Sequence, residues 1–300
     1  MDELVAESLS ILLKLSIVIF MVGNLLEMGV RLNIQEALGA LRNVRFAVLS
    51  VLCGFVVCPA LAYLLTKIIP LDPSYAVGMI LLGMTPCAPF LPMMVDKARG
   101  DMAYAAAFML LASLVTVVYM PLAVPVMIEG LTADAWTIAK PLLFFLIVPL
   151  AIGLAIQRIS VHVAARLQLI VKKTTGIDMI VMLVLCAAIF GKDFVNAAGS
   201  YAFGTQILFF LVATTATYAL SFGLPQAQKS VLTLGISTRN LGAALVPLFA
   251  IPGVDQRAIV MVVIGVPMQM IASFLAARWL ARRAIGEPGA AHRLLERQRP

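Results

Sequence analysis

The chain has 300 residues, of which 62% are hydrophobic and only 12% charged, and its mean hydropathy is +1.02. Soluble domains carry about a quarter of their residues as charges, so this composition excludes an ordinary soluble protein and points to a chain that lives in a lipid bilayer. The net charge of +7, from 22 Lys and Arg against 15 Asp and Glu, then marks basic cytoplasmic loops rather than a nucleic-acid partner.

Apolar runs bounded by charges or by Gly and Pro predict membrane helices of the roughly 20 residues a bilayer requires. They fall at 9–31, 45–69, 74–95, 102–128, 135–157, 175–197, 203–224, 229–250 and 256–281. The expected fold is an all-α polytopic membrane protein with nine transmembrane helices. Met1 to Ser8 is acidic and carries no cleavage signal, so the first span is expected to direct insertion itself. Segment 158–174 alternates Ile, Val and Leu with basic residues and reads either as an amphipathic linker on the cytoplasmic surface or as an ordinary basic loop. Residues 286–300 are polar and read as a mobile cytoplasmic tail.

Orientation follows from where the Lys and Arg fall between the spans. One side collects 16 of the 22: Arg31, Arg42 and Arg45, then Lys97 and Arg99, then Arg158, Arg166, Lys172 and Lys173, then Lys229, and six from Arg278 to Arg299. Lys14, Lys67, Lys140, Lys192 and Arg257 lie on the other side, and Arg239 is inside a span. The N-terminus is expected outside and the C-terminus in the cytoplasm, in the cell (inner) membrane.

Cys53, Cys58, Cys87 and Cys186 all lie in apolar stretches without metal-ligand spacing, so neither a disulfide nor a metal centre is expected. His162 and His292 sit in basic hydrophilic segments. Catalytic dyads and triads have almost nothing to work with, and neither an enzyme nor a cofactor is expected.

Two spans are interrupted. The third carries Pro86, Pro89 and Pro92, each of which removes a backbone donor and clashes with the preceding turn. The eighth places Ser237, Thr238, Arg239 and Asn240 at mid-membrane depth, between Gly235 and Gly242, where unsatisfied polar groups cost several kcal/mol. Leu82-Gly83-Met84-Thr85 is echoed by Leu234-Gly235-Ile236-Ser237. With nine spans, the two segments cross in opposite directions, as expected of an inverted repeat with two broken crossing helices. Such a pair marks the substrate site of a secondary transporter; the bland alternative is a set of Pro kinks and a salt-bridged Arg that merely shape the bundle. The chain then divides into 1–157, a first repeat plus the first helix of the second, the linker 158–174, the remainder of the second repeat at 175–285, and the tail.

These residues resemble the bile acid:sodium symporter family, which includes bacterial relatives and, more broadly, plant and arsenite carriers. The resemblance covers roughly residues 15–285 and rests on the stretch from Pro86 to Ala98-Arg99-Gly100-Asp101, similar to A-[RK]-G-[DN] of the family, and on Arg239-Asn240-Leu241-Gly242, similar to Q-N-S-G. Gln226 to Lys229 resembles the lead-in to the same helix, and Met28 to Leu32 the end of the family's second helix. The resemblance implies two inverted five-helix repeats arranged as panel and core domains, with the first of ten helices missing here. It also implies sodium ligands, and there this chain departs from the family. The ligand positions fall on Leu91 and Pro92, Ala105 and Met109, Gly54 and Gly235, and the family's Gln falls on Arg239. Apolar side chains offer sodium no oxygen, so sodium is not expected at the family's sites.

The reading is a secondary transporter that moves a small organic anion by alternating access, without family-type sodium coupling. Arg239 is expected either to hold the substrate's charge or to stand where sodium stood, with Ser237, Thr238, Asn240, Thr85 and Gln269 as hydrogen-bonding neighbours. Each small polar group could instead bond a carbonyl within the bundle, and Asp178 or Glu27 is the alternative partner of Arg239. Glu27 precedes Arg31 by four residues, the spacing of a helix-end pair. Asp178, near the start of its expected span, is read as exposed or as a proton relay. The rivals are a sodium-coupled organic anion symporter with rearranged ion sites and a non-transporting membrane sensor or binding protein.

Overall fold

With no water to hydrogen-bond the backbone inside a bilayer, an apolar chain satisfies its N–H and C=O groups locally, and helices follow. The computed structural model describes residues 3–128, 134–250, 255 and 257–285, and among these no strand is formed. In chain order the helices are α1 (Glu3–Arg31), α2 (Ile34–Leu41), α3 (Val44–Leu52) and α4 (Cys58–Ile68), α5 (Pro73–Gly83), α6 (Leu91–Lys97) and α7 (Met102–Met127). There follow α8 (Ala135–Leu142) and α9 (Val148–Ile159), α10 (Val161–Gly199), α11 (Ala202–Leu220), α12 (Gln226–Ser237), α13 (Leu241–Ala250) and α14 (Arg257–Ile285). The expected tail 286–300 lies outside the described residues.

Seven helices among the described residues are long and apolar enough to cross a membrane: α1, the run Val44–Ile68, α7, the run Ala135–Ile159, α10 from Val161, α11 and α14. In two of these, α3 joins α4 and α8 joins α9 through one wide π-turn, Cys53–Val57 and Leu143–Ile147. Pro59 and Pro149 follow as second residues of α4 and α9; the wider turn accommodates the carbonyl that each proline leaves without a donor. The other two expected spans, 74–95 and 229–250, are split into α5 with α6 and α12 with α13. None of these four pieces has the length to cross alone.

Short polar side chains set the helix starts. Asn43 Oδ1 accepts from Phe46 N–H at 3.2 Å, Asp72 from Ser74 N–H at 2.9 Å, Asp101 from Ala103 N–H at 2.9 Å and Asp134 from Thr137 N–H at 2.9 Å, each satisfying a donor that the first turn leaves free. Along α7, Val118, Leu122 and Val126 recur every fourth residue and are all exposed, the stripe a lipid-facing helix presents.

Segment 158–174 is helical from Val161 and runs without a break into the expected sixth span; α10 kinks only later, at Phe190, whose φ of -110° and ψ of 20° leave the helical region. The continuity changes the setting of Asp178. It lies well inside α10 and is 9% exposed, with Ser16 of α1 donating to its Oδ1 at 2.8 Å. α1 packs against both α9 and α10. Its crossing with α9 is close enough that a Cβ on Gly29 would fall 2.4 Å from the Leu150 carbonyl oxygen and 2.9 Å from the Gly153 Cα. α14 packs against α5, α12 and α11, and also against α10.

Candidate functional site

The two split helices meet at their breaks. α5 ends at Gly83 and α12 at Ser237, and the segments that follow them meet in a single antiparallel bridge between Pro86 and Arg239. Asn240 N–H donates to the Thr85 carbonyl at 2.8 Å, and Cys87 N–H donates to the Thr238 and Gly235 carbonyls at 2.9 and 3.1 Å. Cys87 adopts a left-handed φ of 76°, a conformation costly for a side-chain-bearing residue, and the two hydrogen bonds at its N–H hold it there. Each break therefore supplies the partners that the other lost, which is what irregular backbone at membrane depth demands.

Pro86 and Pro89 lie within the first break, while Pro92 is already in the first turn of α6, where its missing N–H costs nothing. Gly235 and Gly242, expected as breaks, are both helical, in α12 and α13. Their function is close packing: a Cβ on Gly235 would lie 2.4 Å from the Phe108 ring, and one on Gly242 2.5 Å from Met21 Cγ. The chain leaves the helix instead at Thr238, whose backbone is extended.

Three of the expected substrate residues turn their hydroxyls back onto carbonyls of the preceding helical turn. Thr85 Oγ1 donates to the Leu82 carbonyl at 3.3 Å, Ser237 Oγ to the Thr233 carbonyl at 2.7 Å and Thr238 Oγ1 to the Leu234 carbonyl at 3.0 Å. Thr238 Oγ1 also accepts from Ala88 N–H at 3.2 Å. Arg239 is 0% exposed. One guanidinium nitrogen donates to the Gly83 carbonyl at the end of α5 at 3.3 Å, another lies 2.9 Å from Cys58 Sγ, and the group sits 4.9 Å from the centroid of the Phe209 ring. Neither Glu27 nor Asp178 pairs with it; Glu27 pairs with Arg31 at 3.4 Å. The guanidinium is thus held by the electronegative C-terminal end of a helix, by a thiol and by an aromatic face.

A cavity of about 250 Å³ lies between this crossing and the pair α1 and α10. Arg239, Asn240 and Gln269 of the expected set reach its wall, with Leu241 and Gly242 of α13, whereas Thr85, Ser237 and Thr238 do not. Gln269 is 1% exposed; its Oε1 accepts from Arg239 N–H at 2.6 Å, and its Nε2 has no acceptor among the described residues. Asn240 Oδ1 caps α13 by accepting from Ala243 N–H at 3.1 Å, and its Nδ2 is likewise without an acceptor there. The N–H groups of Leu241 and Gly242, in the first turn of α13, also meet no acceptor among the described residues. Phe20, Met21, Phe90, Met93 and Met270 make much of the wall apolar, and Glu27, Arg31 and Lys172 add charges to that of Arg239.

Asn24, Lys172 and Thr175 line the cavity without having been singled out from the sequence. A carboxamide in an apolar span was a usable signal for Asn24; Lys172 was masked by its place in a segment read as a linker. The six positions where sodium ligands were considered, Gly54, Leu91, Pro92, Ala105, Met109 and Gly235, are all buried and offer no side-chain oxygen.

Comparison with curated proteins gives no match. A sequence model of the Sodium Bile acid symporter family matches residues 17–198, from within α1 to the end of α10. That match spans more than half of the chain and includes the first of the two broken helices, so this multi-pass protein belongs to the sodium bile acid symporter family of membrane transporters.

Proposed function

We propose that the protein is a secondary transporter of a small organic anion, carried by alternating access of the crossing-helix core against α1, α9 and α10, without sodium coupling at the family's usual positions. The observation that carries this reading is the set of unpartnered donors at the cavity wall: Gln269 Nε2, Asn240 Nδ2 and the first-turn N–H groups of α13. Donors without acceptors, at the positive end of a helix, favour a carboxylate or similar anion. Among the described residues the one carboxylate in the wall, Glu27, is already paired with Arg31. The apolar remainder suits an organic body, and the volume restricts it to a small one.

Arg239 takes the place of an exchangeable cation in this reading. Its guanidinium lies against Cys58, four residues beyond Gly54, and is bonded to the freed carbonyl of Gly83. The guanidinium supplies the positive charge at the helix end itself, in the place where sodium would stand. The two halves are inverted repeats, the N-terminus is outside, and the cavity, with Arg31 and Lys172 in its wall, opens toward the cytoplasmic side that collects the basic residues.

The test is uptake of organic anions into proteoliposomes together with a thermal-shift screen, each in sodium and in choline. Uptake that saturates, discriminates against neutral amide analogues and proceeds equally in choline is expected. Uptake abolished by choline would overturn the sodium-independent reading and favour a symporter with rearranged ion ligands. Stabilisation by neutral analogues as strong as that by anions would overturn the anion assignment.

A further inference from the structure

Away from the substrate cavity, α11 and α14 leave a second hollow on the outside of the bundle, with a volume of about 660 Å³. Ile207, Leu211, Ile271 and Leu275 form its exposed walls. The two threonines that line it offer no free hydroxyl: Thr215 Oγ1 donates to the Leu211 carbonyl at 2.8 Å, and Thr214 Oγ1 is bonded to Ser237 Oγ at 2.8 Å. The groove thus presents hydrocarbon along its length and has no means of recognising a polar body.

One end is different. Tyr218 and Trp279 meet edge to face with centroids 4.6 Å apart, and Arg283 stacks 4.8 Å from the Trp279 ring. Lys229, in the first turn of α12, approaches the Tyr218 ring at 5.8 Å, and Arg283 lies 5.9 Å from the centroid of the same ring. No carboxylate lies within ion-pair distance of Arg283 or Lys229 among the described residues. Paired aromatic rings beside unpaired cations are what a helix presents at the level of lipid headgroups. From Ile207 to Tyr218 the groove runs about 17 Å at 1.5 Å per residue, close to the roughly 15 Å of one leaflet.

We propose that this groove is a binding site for an anionic phospholipid, with one acyl chain along α11 and α14 and the phosphodiester between Arg283 and Lys229. Length, hydrocarbon walls and a single cationic end together select a leaflet lipid; a zwitterionic headgroup would bring a choline or amine against the same two cations. The site is separate from the substrate cavity, so it stands whether or not the transport reading does.

Native mass spectrometry of the full chain, equilibrated with equal amounts of phosphatidylglycerol and phosphatidylcholine, tests the proposal. Preferential retention of phosphatidylglycerol is expected. The Arg283→Gln, Lys229→Gln double variant should lose that preference by about tenfold or more, given the attraction each basic side chain exerts on anionic lipid. Arg283→Lys, which keeps the charge, should retain it, and Leu275→Trp, which fills the groove but leaves both cations, should lose both lipids. An unchanged preference in the double variant, or undiminished lipid retention in Leu275→Trp, would overturn the site. Disulfide-linked dimers of an Ile271→Cys variant in nanodiscs would also overturn it, by seating a second copy of the chain in the groove.

Discussion

Gln269 performs two tasks with one carboxamide, and replacing it by methionine separates them. Its Oε1 holds the buried N–H of Arg239 at 2.6 Å, while its Nε2 is left for the cavity. Methionine has nearly the same length and volume, so packing on α14 is preserved while both polar contacts disappear. Loss of the acceptor leaves the Arg239 N–H buried without a partner, at about 1–3 kcal/mol of stability. Loss of the donor removes one charge-assisted hydrogen bond to the anion, about 1.5–3 kcal/mol, which corresponds to a roughly tenfold to hundredfold rise in Kd. Gln269→Met should therefore lower the thermal midpoint and, in the protein that remains folded, weaken binding of an organic anion measured by calorimetry or thermal shift. A folded Gln269→Met protein with wild-type anion affinity would refute the reasoning: the carboxamide would then only tie the crossing loop to α14.

Arg239→Gln should shift stability more than affinity, because the guanidinium bonds Gly83 and Cys58 rather than the cavity; a clearly lowered midpoint with anion Kd within about threefold of wild type is expected, and a tenfold loss of affinity at unchanged stability would show that the guanidinium reaches the substrate. Gly235→Ala should destabilise the core, since the added Cβ would lie 2.4 Å from the Phe108 ring, and Phe108→Leu in the same chain should recover part of the loss; a midpoint unaffected by Gly235→Ala refutes the packing role. At the first residue of α14, Arg257 bonds Asp255 at 2.7 Å and Asp72 at 3.1 Å, both outside the spans, and chiefly through the side-chain hydrogen bonds from Arg257 the Asp255 carboxyl is pulled down to about 2. A depressed carboxylate contributes stability above its unfolded value, near 3.9, and loses it as the pH falls through its folded value. The midpoint of wild type should thus fall toward that of Arg257→Gln between about pH 4 and pH 2, and a constant difference between the two proteins across that window would contradict the pairing.

Membrane residence, the positions of the long helices and the place of both interruptions were legible in the linear chain, for one physical reason. In a bilayer each span satisfies its own backbone, so hydropathy and the residues that break helices act within a few positions of themselves. Pro86 and Arg239 mark the two breaks because a lost N–H and a buried charge are local events. The Glu27–Arg31 pair was readable for the same reason, being one helical turn apart.

What tertiary structure decided is where the groups freed by those local events find partners. Arg239 meets Gly83 and Cys58, 156 and 181 positions away in the chain, and no pattern along the sequence distinguishes them from Glu27 or Asp178. Gly235 and Gly242 read as helix breakers, yet the approach of Phe108 and Met21 makes them packing positions inside intact helices. Asp178 read as a span end until α10 proved to begin at Val161, which carries it inward against Ser16. A helix in lipid is specified by the residues within it; the partner of a polar group inside the bundle is specified by whichever distant helix packs against it, and that depends on the whole assembly of surfaces at once.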